Sequence, residues 1–276
     1  MTTSTQSTGF TSGASAPLGA TVGPNGVNFS VFSKQASLVE LLLFDGENAP
    51  QPTRVIPLDA EEHRTYHYWH VFVPGLQQGQ VYAYRAHGPF VPDCGYRFDG
   101  EKVLLDPYGL AVAVPETYDR RAAARPGDTA ATAMKSVVAD PDRYDWEGDL
   151  PLKRPFAETV IYELHVKGFT RHVSSGVAPT KRGTYAGLIQ KVPYLKDLGV
   201  TAVELLPVFQ FDPQDAPAGT TGAISRFHSS RHITRTARSR TPSPFLTNFG
   251  TWSKRSTARK SKSFSMSSLI TPQKVA

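Results

Sequence analysis

GATVGPNGVNFSVFS, residues 19–33, is the stretch that decides the fold of the first part of the chain. Its pair Asn25-Gly26 lies between two short runs of β-type residues, and Asn-Gly favours the tight turn of a β-hairpin. Alternating or aromatic-rich runs follow as SLVELLLFD, HYWHVFVPGL and GQVYAYRAHGPF, separated by Pro, Gly and Gln. This spacing of short strands and turns predicts an all-β sandwich.

One tryptophan of the predicted sandwich is a candidate sugar-binding residue. Trp69 is followed by His70, and a flat indole can stack on the face of a pyranose ring. A tryptophan in a sandwich is also commonly a packing residue, so both roles stay open for Trp69. The predicted core consists of Phe29, Phe32, Leu41, Leu43, Phe72, Tyr82 and Tyr84.

The hydrophobic period changes after Pro155. ETVIYELHVKGFT is a short apolar and β-branched run, typical of a buried parallel strand. GTYAGLIQKVPYLKDLGV follows with apolar residues at mostly helical spacing, and TAVELLPVFQF reads as the next buried strand. Strand, helix and strand with short connections predict a parallel βαβ unit, which occurs in barrels and in doubly wound sheets.

Polar residues in or beside these strands are candidates for chemistry at strand ends. They include Glu163, His165 and Glu204, and we take Tyr162 and Glu204 as candidate substrate-binding residues. The alternative is that these side chains are satisfied polar groups inside a barrel or on its rim. The sequence has no metal-ligand spacing and no phosphate-binding glycine motif, so we expect neither a metal nor a cofactor.

Charge is distributed unevenly along the chain. Lys and Arg number 30 against 24 Asp and Glu, but 11 of the basic residues and none of the acidic ones lie between Thr220 and Ala276. The preceding residues are therefore acidic. A basic tail can contact phosphates, but this one has few stacking aromatics and no recognisable module, so we expect no nucleic-acid partner.

Cysteine content and the N-terminus bear on the compartment. Cys94 is alone, so an internal disulfide is excluded and a reducing compartment is the default. Residues 1–15 have no basic start and no continuous apolar run, which predicts a disordered leader rather than a signal peptide. No apolar run approaches the length that crosses a membrane. We expect a cytoplasmic protein without a membrane partner.

Seven motifs, in chain order, resemble the beginning of one enzyme family. They read GVNFSVFS, YRAHGP, YRFDGEKVLLDPYG, ADPDRYDWEGD, VIYELHVKGFT, YLKDLGVTAVELLPV and FDPQDAPAG, and the resemblance covers roughly Pro17 to Gly219. Together they resemble bacterial and plant glycogen-debranching enzymes of the isoamylase type, in the α-amylase superfamily of glycoside hydrolases. The resemblance implies an immunoglobulin-like module over residues 16–150 that associates with α-glucan, followed at 157–219 by the first βαβ of an incomplete (β/α)₈ barrel.

The family resemblance also implies an activity. Its barrel hydrolyses α-1,6 branch linkages of glycogen or starch, with a carboxylate nucleophile and a carboxylic acid/base on later barrel strands. No position of this chain matches either residue, so we expect no catalytic residue and a catalytically inactive N-terminal fragment. The alternatives are a stand-alone glucan-binding module and, with less support, a basic-tailed nucleic-acid-binding protein.

The tail after Gly219 departs from the family, whose aromatic loop and Asn-His strand are missing. Codons for TNFGTWSKRST, residues 247–257, regrouped one base earlier can read DEFRDMVKALH, an amphipathic helix. MSSLITPQKVA, residues 266–276, becomes DVVFNHTAEGG, and residues 222–236 yield WGYQPISFFAPHHAY. Because three segments agree in one frame, we predict a frameshift near Gly219 to Thr221 and a disordered tail at 220–276.

Overall fold

A computed structural model describes residues 9–143, 145, 147–149, 152–206, 212 and 214. These residues divide into two compact units, one up to Pro141 and one from Asp142. The boundary lies earlier than the predicted domain end at residue 150. The predicted tail at 220–276 and the first eight residues of the predicted leader lie outside the described residues.

The first unit contains a four-stranded antiparallel sheet with the order β1-β2-β6-β5. Its strands are β1 (Gly19–Gly23), β2 (Gly26–Phe32), β5 (Arg64–Thr65) and β6 (Tyr68–Pro74), with β3 (Leu38–Phe44) and β4 (Arg54–Leu58) lying between β2 and β5 in the chain. The predicted hairpin forms, but its turn is Pro24-Asn25, because Gly23 and Gly26 are paired. A Cβ at Gly26 would collide with the Val73 carbonyl oxygen, so glycine permits close approach of β6.

The second sheet of this unit has five strands in the order β10-β11-β7-β3-β4. The remaining strands of the unit are β7 (Val81–His87), β8 (Phe90–Val91), β9 (Tyr96–Arg97), β10 (Ala111–Ala113) and β11 (Lys135–Val137). Strands β8 and β9 form a separate hairpin. The two larger sheets enclose one hydrophobic core, so the predicted sandwich is confirmed.

Most of the predicted core residues are buried between the two sheets. Phe29, Leu41, Leu43, Tyr82 and Tyr84 are buried, whereas Phe72 is half-buried. Phe32 was expected in the core and is 43% exposed, so that prediction is wrong. Side chains alternate along a strand, and β2 directs Val27, Phe29 and Val31 into the core. Phe32 therefore lies on the outer face.

The end of the predicted disordered leader is ordered in the structure. Thr11 exchanges two backbone hydrogen bonds of 2.9 Å with Phe72 on the edge of β6. The Asn28 side chain hydrogen-bonds both the amide and the carbonyl of Ala14, and the Ser30 hydroxyl donates to the Ser15 carbonyl. Residues 9–15, here named the strap, thus cover part of the outer face of the first sheet, and the prediction of disorder is wrong for them.

Part of the segment between β9 and β11 covers the outer face of the second sheet. Val103 and Ala130 pack there with Leu42, Phe44 and Val81. The turn Asp106-Pro107-Tyr108-Gly109 is held by a buried carboxylate, since the Tyr82 hydroxyl donates to Asp106 Oδ2 at 2.7 Å and the Tyr108 amide donates to Oδ1 at 2.8 Å. Burial raises the pKa of Asp106 above its ordinary value.

Lys135 in β11 is fully buried, beside the ring of Phe44. Its ammonium donates to the carbonyls of Glu47 and Ala133, at 3.2 and 3.4 Å, and lies 4.9 Å from the centre of the Phe44 ring. Burial lowers the pKa of Lys135 from 10.5 to about 8, because the charged form loses its water. The folded protein therefore holds this proton less tightly than the unfolded chain does.

Replacing this lysine is expected to remove a pH dependence of stability. Between pH values of about 8 and 10.5 the unfolded chain binds the Lys135 proton and the folded protein does not, so the free energy of unfolding rises with pH. Across that window the wild type should gain about 2–3 kcal/mol relative to Lys135→Met. Urea unfolding of both proteins at several pH values checks this, and parallel pH profiles would contradict it.

The second unit contains a parallel strand pair with helices between the strands. Its elements are β12 (Ile161–Leu164), α1 (Val166–Arg171), α2 (Tyr185–Gln190), α3 (Val192–Asp197) and β13 (Ala202–Leu205). Strands β12 and β13 are parallel, as predicted. The predicted helical run is two helices, with Pro193 in the first turn of α3, where its missing N–H is tolerated. None of the helices in the described ranges has the length and apolar character that crossing a membrane requires.

Candidate functional site

Trp69 is a core residue with no ring face open to a ligand. It is 0% exposed and packs in the first core because its position on β6 points inward with Val71 and Val73. The indole N–H donates to the Ser33 carbonyl at 3.0 Å, and the Arg64 guanidinium lies 5.0 Å from the ring centre. The prediction of a sugar-stacking Trp69 is therefore wrong, and the packing alternative describes this residue.

His70, next to Trp69, lies on the outer face and is covered by the strap. Its Nδ1 is 2.6 Å from the Ser12 carbonyl oxygen and its Nε2 is 2.9 Å from the Thr65 hydroxyl. Because a carbonyl only accepts, Nδ1 carries the proton and Nε2 accepts from Thr65. Both nitrogens are engaged, which leaves no polar atom of the imidazole for a ligand.

Tyr162 and Glu204 lie on neighbouring strands but on opposite faces. Tyr162 pairs in register with Val203 and packs on the helix side, 5.9 Å from the centre of the Phe169 ring. Glu204 follows Val203 in β13, so its side chain points to the other face, where it is exposed. The structure therefore does not bring the two predicted substrate-binding residues together, and Trp69 belongs to the other unit.

Glu204 has a carboxylate neighbour instead. Glu163 of β12 is its register partner and is also exposed, so two acidic side chains share the face opposite the helices. His165 caps α1 by accepting the Gly168 amide at Nδ1, at 2.9 Å. Within the described residues, no group of three or more His, Cys, Asp or Glu side chains could hold a metal ion. The roles of Tyr162 and Glu204 in substrate binding stay predictions.

Four aromatic rings cluster at one end of the first sheet, two of them exposed and two half-buried. Phe32 and Tyr68 are register partners on β2 and β6, with ring centres 5.5 Å apart. His67 lies 5.9 Å from Phe32 and 3.8 Å from Tyr66, measured between ring centres. Tyr66 is 77% exposed. We name Phe32, Tyr66, His67 and Tyr68 the aromatic surface.

The turn that carries this surface is held by Arg64. The Arg64 Nε donates to the Tyr66 carbonyl at 2.9 Å, and its Nη2 donates to the Lys34 carbonyl at 3.2 Å. The Ser33 amide donates to the His67 carbonyl at 2.9 Å. These bonds connect the hairpin of β5 and β6 to the chain that follows β2. The guanidinium rests on the buried indole of Trp69, so the core also supports the turn.

Sequence reasoning missed the aromatic surface although a signal was present. The consecutive residues Tyr66, His67 and Tyr68 precede the inward-facing Trp69, and the phase of β2 places Phe32 outside. Alternation along both strands therefore predicts that Phe32 and Tyr68 share a face. Tryptophan is the ring best suited to stacking, but Trp69 lies on the inner side of the sheet, opposite to this surface.

The chain is similar to known proteins over most of its described length. Residues 17–109 match carbohydrate-binding module 48 (isoamylase N-terminal domain). The chain is 44% identical over 203 residues to chloroplastic isoamylase 1 of Oryza sativa subsp. japonica, covering 72% of this chain and 25% of that protein. It is 42% identical over 214 residues to the glycogen debranching enzyme of Yersinia enterocolitica, covering 73% of this chain and 30% of that protein.

The chain is also similar in structure to a solved pullulanase. The pullulanase SAP of group B Streptococcus, in complex with maltotetraose, superposes with a TM-score of 0.55 at 26% identity, covering 72% of this chain and 24% of that one. The chain spans between a quarter and three tenths of the length of the curated relatives named above. It therefore carries a carbohydrate-binding module 48 of the isoamylase N-terminal type and is homologous to the isoamylases and glycogen debranching enzymes.

Proposed function

We propose that the first unit is the α-glucan-associated module of an enzyme that hydrolyses α-1,6 branch linkages in glycogen or starch. The match of residues 17–109 to a carbohydrate-binding module carries this proposal. The two-sheet sandwich supports it, because the unit buries its own core within the described residues up to Pro141. A module with its own core can bind polysaccharide independently of the catalytic chemistry.

The activity of the whole enzyme is part of the same proposal. The named relatives are an isoamylase and a glycogen debranching enzyme, and the similar pullulanase was solved with maltotetraose. The described second unit contributes one parallel strand pair, whereas the barrel implied by the resemblance has eight strands. We therefore assign glucan association to this chain and place the cleavage of branch linkages in the complete barrel of a chain read in frame.

The departure of the tail from the family belongs to this account. We attribute the sequence after Gly219 to a change of reading frame, on the strength of the three regrouped segments. Residues 220–276 contain no Asp or Glu, and retaining glycoside hydrolysis needs two carboxyl groups.

A cytoplasmic location and the absence of a nucleic-acid partner remain part of the proposal.

A stand-alone glucan-binding module is the second candidate function. The observation that favours it is the complete sandwich core, which does not depend on residues of the second unit. Both candidates require that the chain binds α-glucan. They differ in whether the gene also encodes a catalytic barrel.

Binding to glycogen tests the function that both candidates share. The purified 276-residue chain should migrate more slowly in a native gel that contains glycogen than in a plain gel. A gel with dextran, whose backbone linkages are α-1,6, is the matched polysaccharide control and should give less retardation. Serum albumin serves as the reference for mobility. Equal relative mobility of the chain with and without glycogen would contradict the proposal.

A further inference from the structure

We propose that the aromatic surface of Phe32, Tyr66, His67 and Tyr68 is where the module contacts α-glucan, with ring faces stacked on the apolar faces of successive glucose residues. This inference rests on the proposed glucan association and names its site. Phe32 and Tyr66 are 43% and 77% exposed, and the four rings form one contiguous cluster. His67 and Tyr68 are half-buried, and a cluster of rings that leaves two large aromatic side chains exposed on a rigid sheet is a candidate surface for a ligand or partner.

The backbone at Tyr66 is the second observation. Tyr66 has a φ of 60°, in the left-handed region that disfavours bulky side chains. Asn or Gly is the usual choice in two-residue hairpin turns that need such angles. A tyrosine here costs stability, and its side chain stays 77% exposed although its ring contacts that of His67. Strain held at an exposed ring is typical of a functional position.

The surface is also fixed before any ligand arrives. Arg64 holds the Tyr66 and Lys34 carbonyls, while the Ser33 amide holds the His67 carbonyl. Tyr and Phe side chains have only two rotatable χ angles, so little entropy is lost when they bind. A pre-organised platform of this kind binds a flexible glucan without first ordering itself.

The strap limits the open part of this sheet face and thereby favours a carbohydrate over a protein partner. It covers Asn28, Ser30 and His70, so the uncovered end of the face is that of Phe32 and Tyr68. Stable protein partners bury about 800 Å² on each side, whereas a few glucose rings fit a four-residue cluster. Lys34 and Gln35 are exposed directly after β2 and can offer hydrogen bonds to sugar hydroxyls.

Substitution of Tyr66 separates a binding role from a structural one. Tyr66→Asn removes the ring and suits the left-handed backbone, so it should raise the Tm while weakening maltoheptaose binding roughly three- to tenfold in Kd. A residue with a merely structural role would not produce these opposite changes. Phe32→Ala should weaken binding by a similar factor. Calorimetry on the full 276-residue chain measures Kd, and thermal unfolding measures Tm.

Phe90→Ala is the matched control, because Phe90 is 67% exposed in the same unit but lies on the separate β8–β9 hairpin. It should leave the Kd for maltoheptaose unchanged. Wild-type affinity in Tyr66→Asn and Phe32→Ala, with glycogen retardation of the wild type intact, would overturn the site and leave the proposed function standing. A loss in Phe90→Ala equal to that in Tyr66→Asn would also overturn the site. A wild-type chain that binds neither glycogen nor maltoheptaose would overturn both.

Discussion

The 276-residue chain should release no linear maltodextrin from glycogen, whereas the product of the gene with its frame restored near the codon for Gly219 should release it readily. Retaining hydrolysis requires a nucleophile and an acid/base whose carboxyl groups are about 5–5.5 Å apart. No acidic residue lies between Thr220 and Ala276. Glu163 and Glu204 are register partners on an exposed face, but the resemblance matches neither to the family's catalytic positions.

The control for this prediction is Glu204→Gln in the chain as it stands. General acid/base assistance alone contributes about 10²–10⁴-fold, which falls far below the acceleration that glycoside cleavage needs. Glu204→Gln should therefore leave maltodextrin release at the same background level as in the unchanged 276-residue chain. A reducing-sugar assay and chromatography of the released chains provide the readout. Clear debranching by the 276-residue chain that is abolished by Glu204→Gln would contradict the account.

Trp69→Ala should destabilise the first unit by about 3–5 kcal/mol, the cost typical of truncating a large buried aromatic residue. The indole is 0% exposed, its N–H is bonded to the Ser33 carbonyl, and its ring supports Arg64. Trp69→Phe keeps an aromatic ring and loses the hydrogen bond, so a smaller loss is expected. Urea unfolding followed by circular dichroism measures both changes.

Glucan binding by Trp69→Phe distinguishes the packing role from a sugar-stacking role. Because Trp69 has no exposed face, the folded variant should bind maltoheptaose with the affinity of the wild type. A Trp69→Ala protein of unchanged stability that no longer binds glucan would contradict the assignment. In that case the indole would have to reach the surface.

The sandwich was predictable because alternation and turn residues are local signals. The runs around Phe29, Leu41 and Tyr82 each form a strand, and these residues are buried as expected. Phe32 shows that hydrophobicity alone does not tell which face of a strand a side chain occupies, since the run NFSVF contains two phenylalanines and β2 can direct only one of them inward. The inward face of β2 becomes evident only when Val27, Phe29 and Val31 are assigned to it together.

The ordered structure of the strap could not be predicted from its amino-acid composition. Apart from Phe10, residues 9–15 are small and polar, which is typical of disorder, yet Phe10 packs against the core and Asn28, Ser30 and His70 on the sheet bond backbone groups of the strap. These partners lie 14 or more positions away in the chain. Long-range hydrogen bonds of this kind leave no periodic pattern in the sequence. The sequence therefore predicted a disordered leader where the structure has the ordered strap.

The candidate site depended on tertiary context in the same way. The rings of Phe32 and Tyr68 meet because β2 and β6 pair in that register, although the two residues are far apart in the sequence. Tyr66 is exposed because a two-residue turn with a positive φ places it there. Neither the register nor the turn conformation follows from the residue types, since Asn or Gly would be the expected turn residues.

The nucleotide sequence of the gene from the codon for Gly219 onward tests the central claim most directly, namely that this chain is the N-terminal part of a debranching enzyme whose reading frame changes there. Read one base earlier, that DNA should stay open and encode an aromatic-rich loop, an amphipathic helix and a strand that ends in Asn-His. A stop codon at once in that frame, or codons that cannot encode the regrouped helix, would contradict the claim.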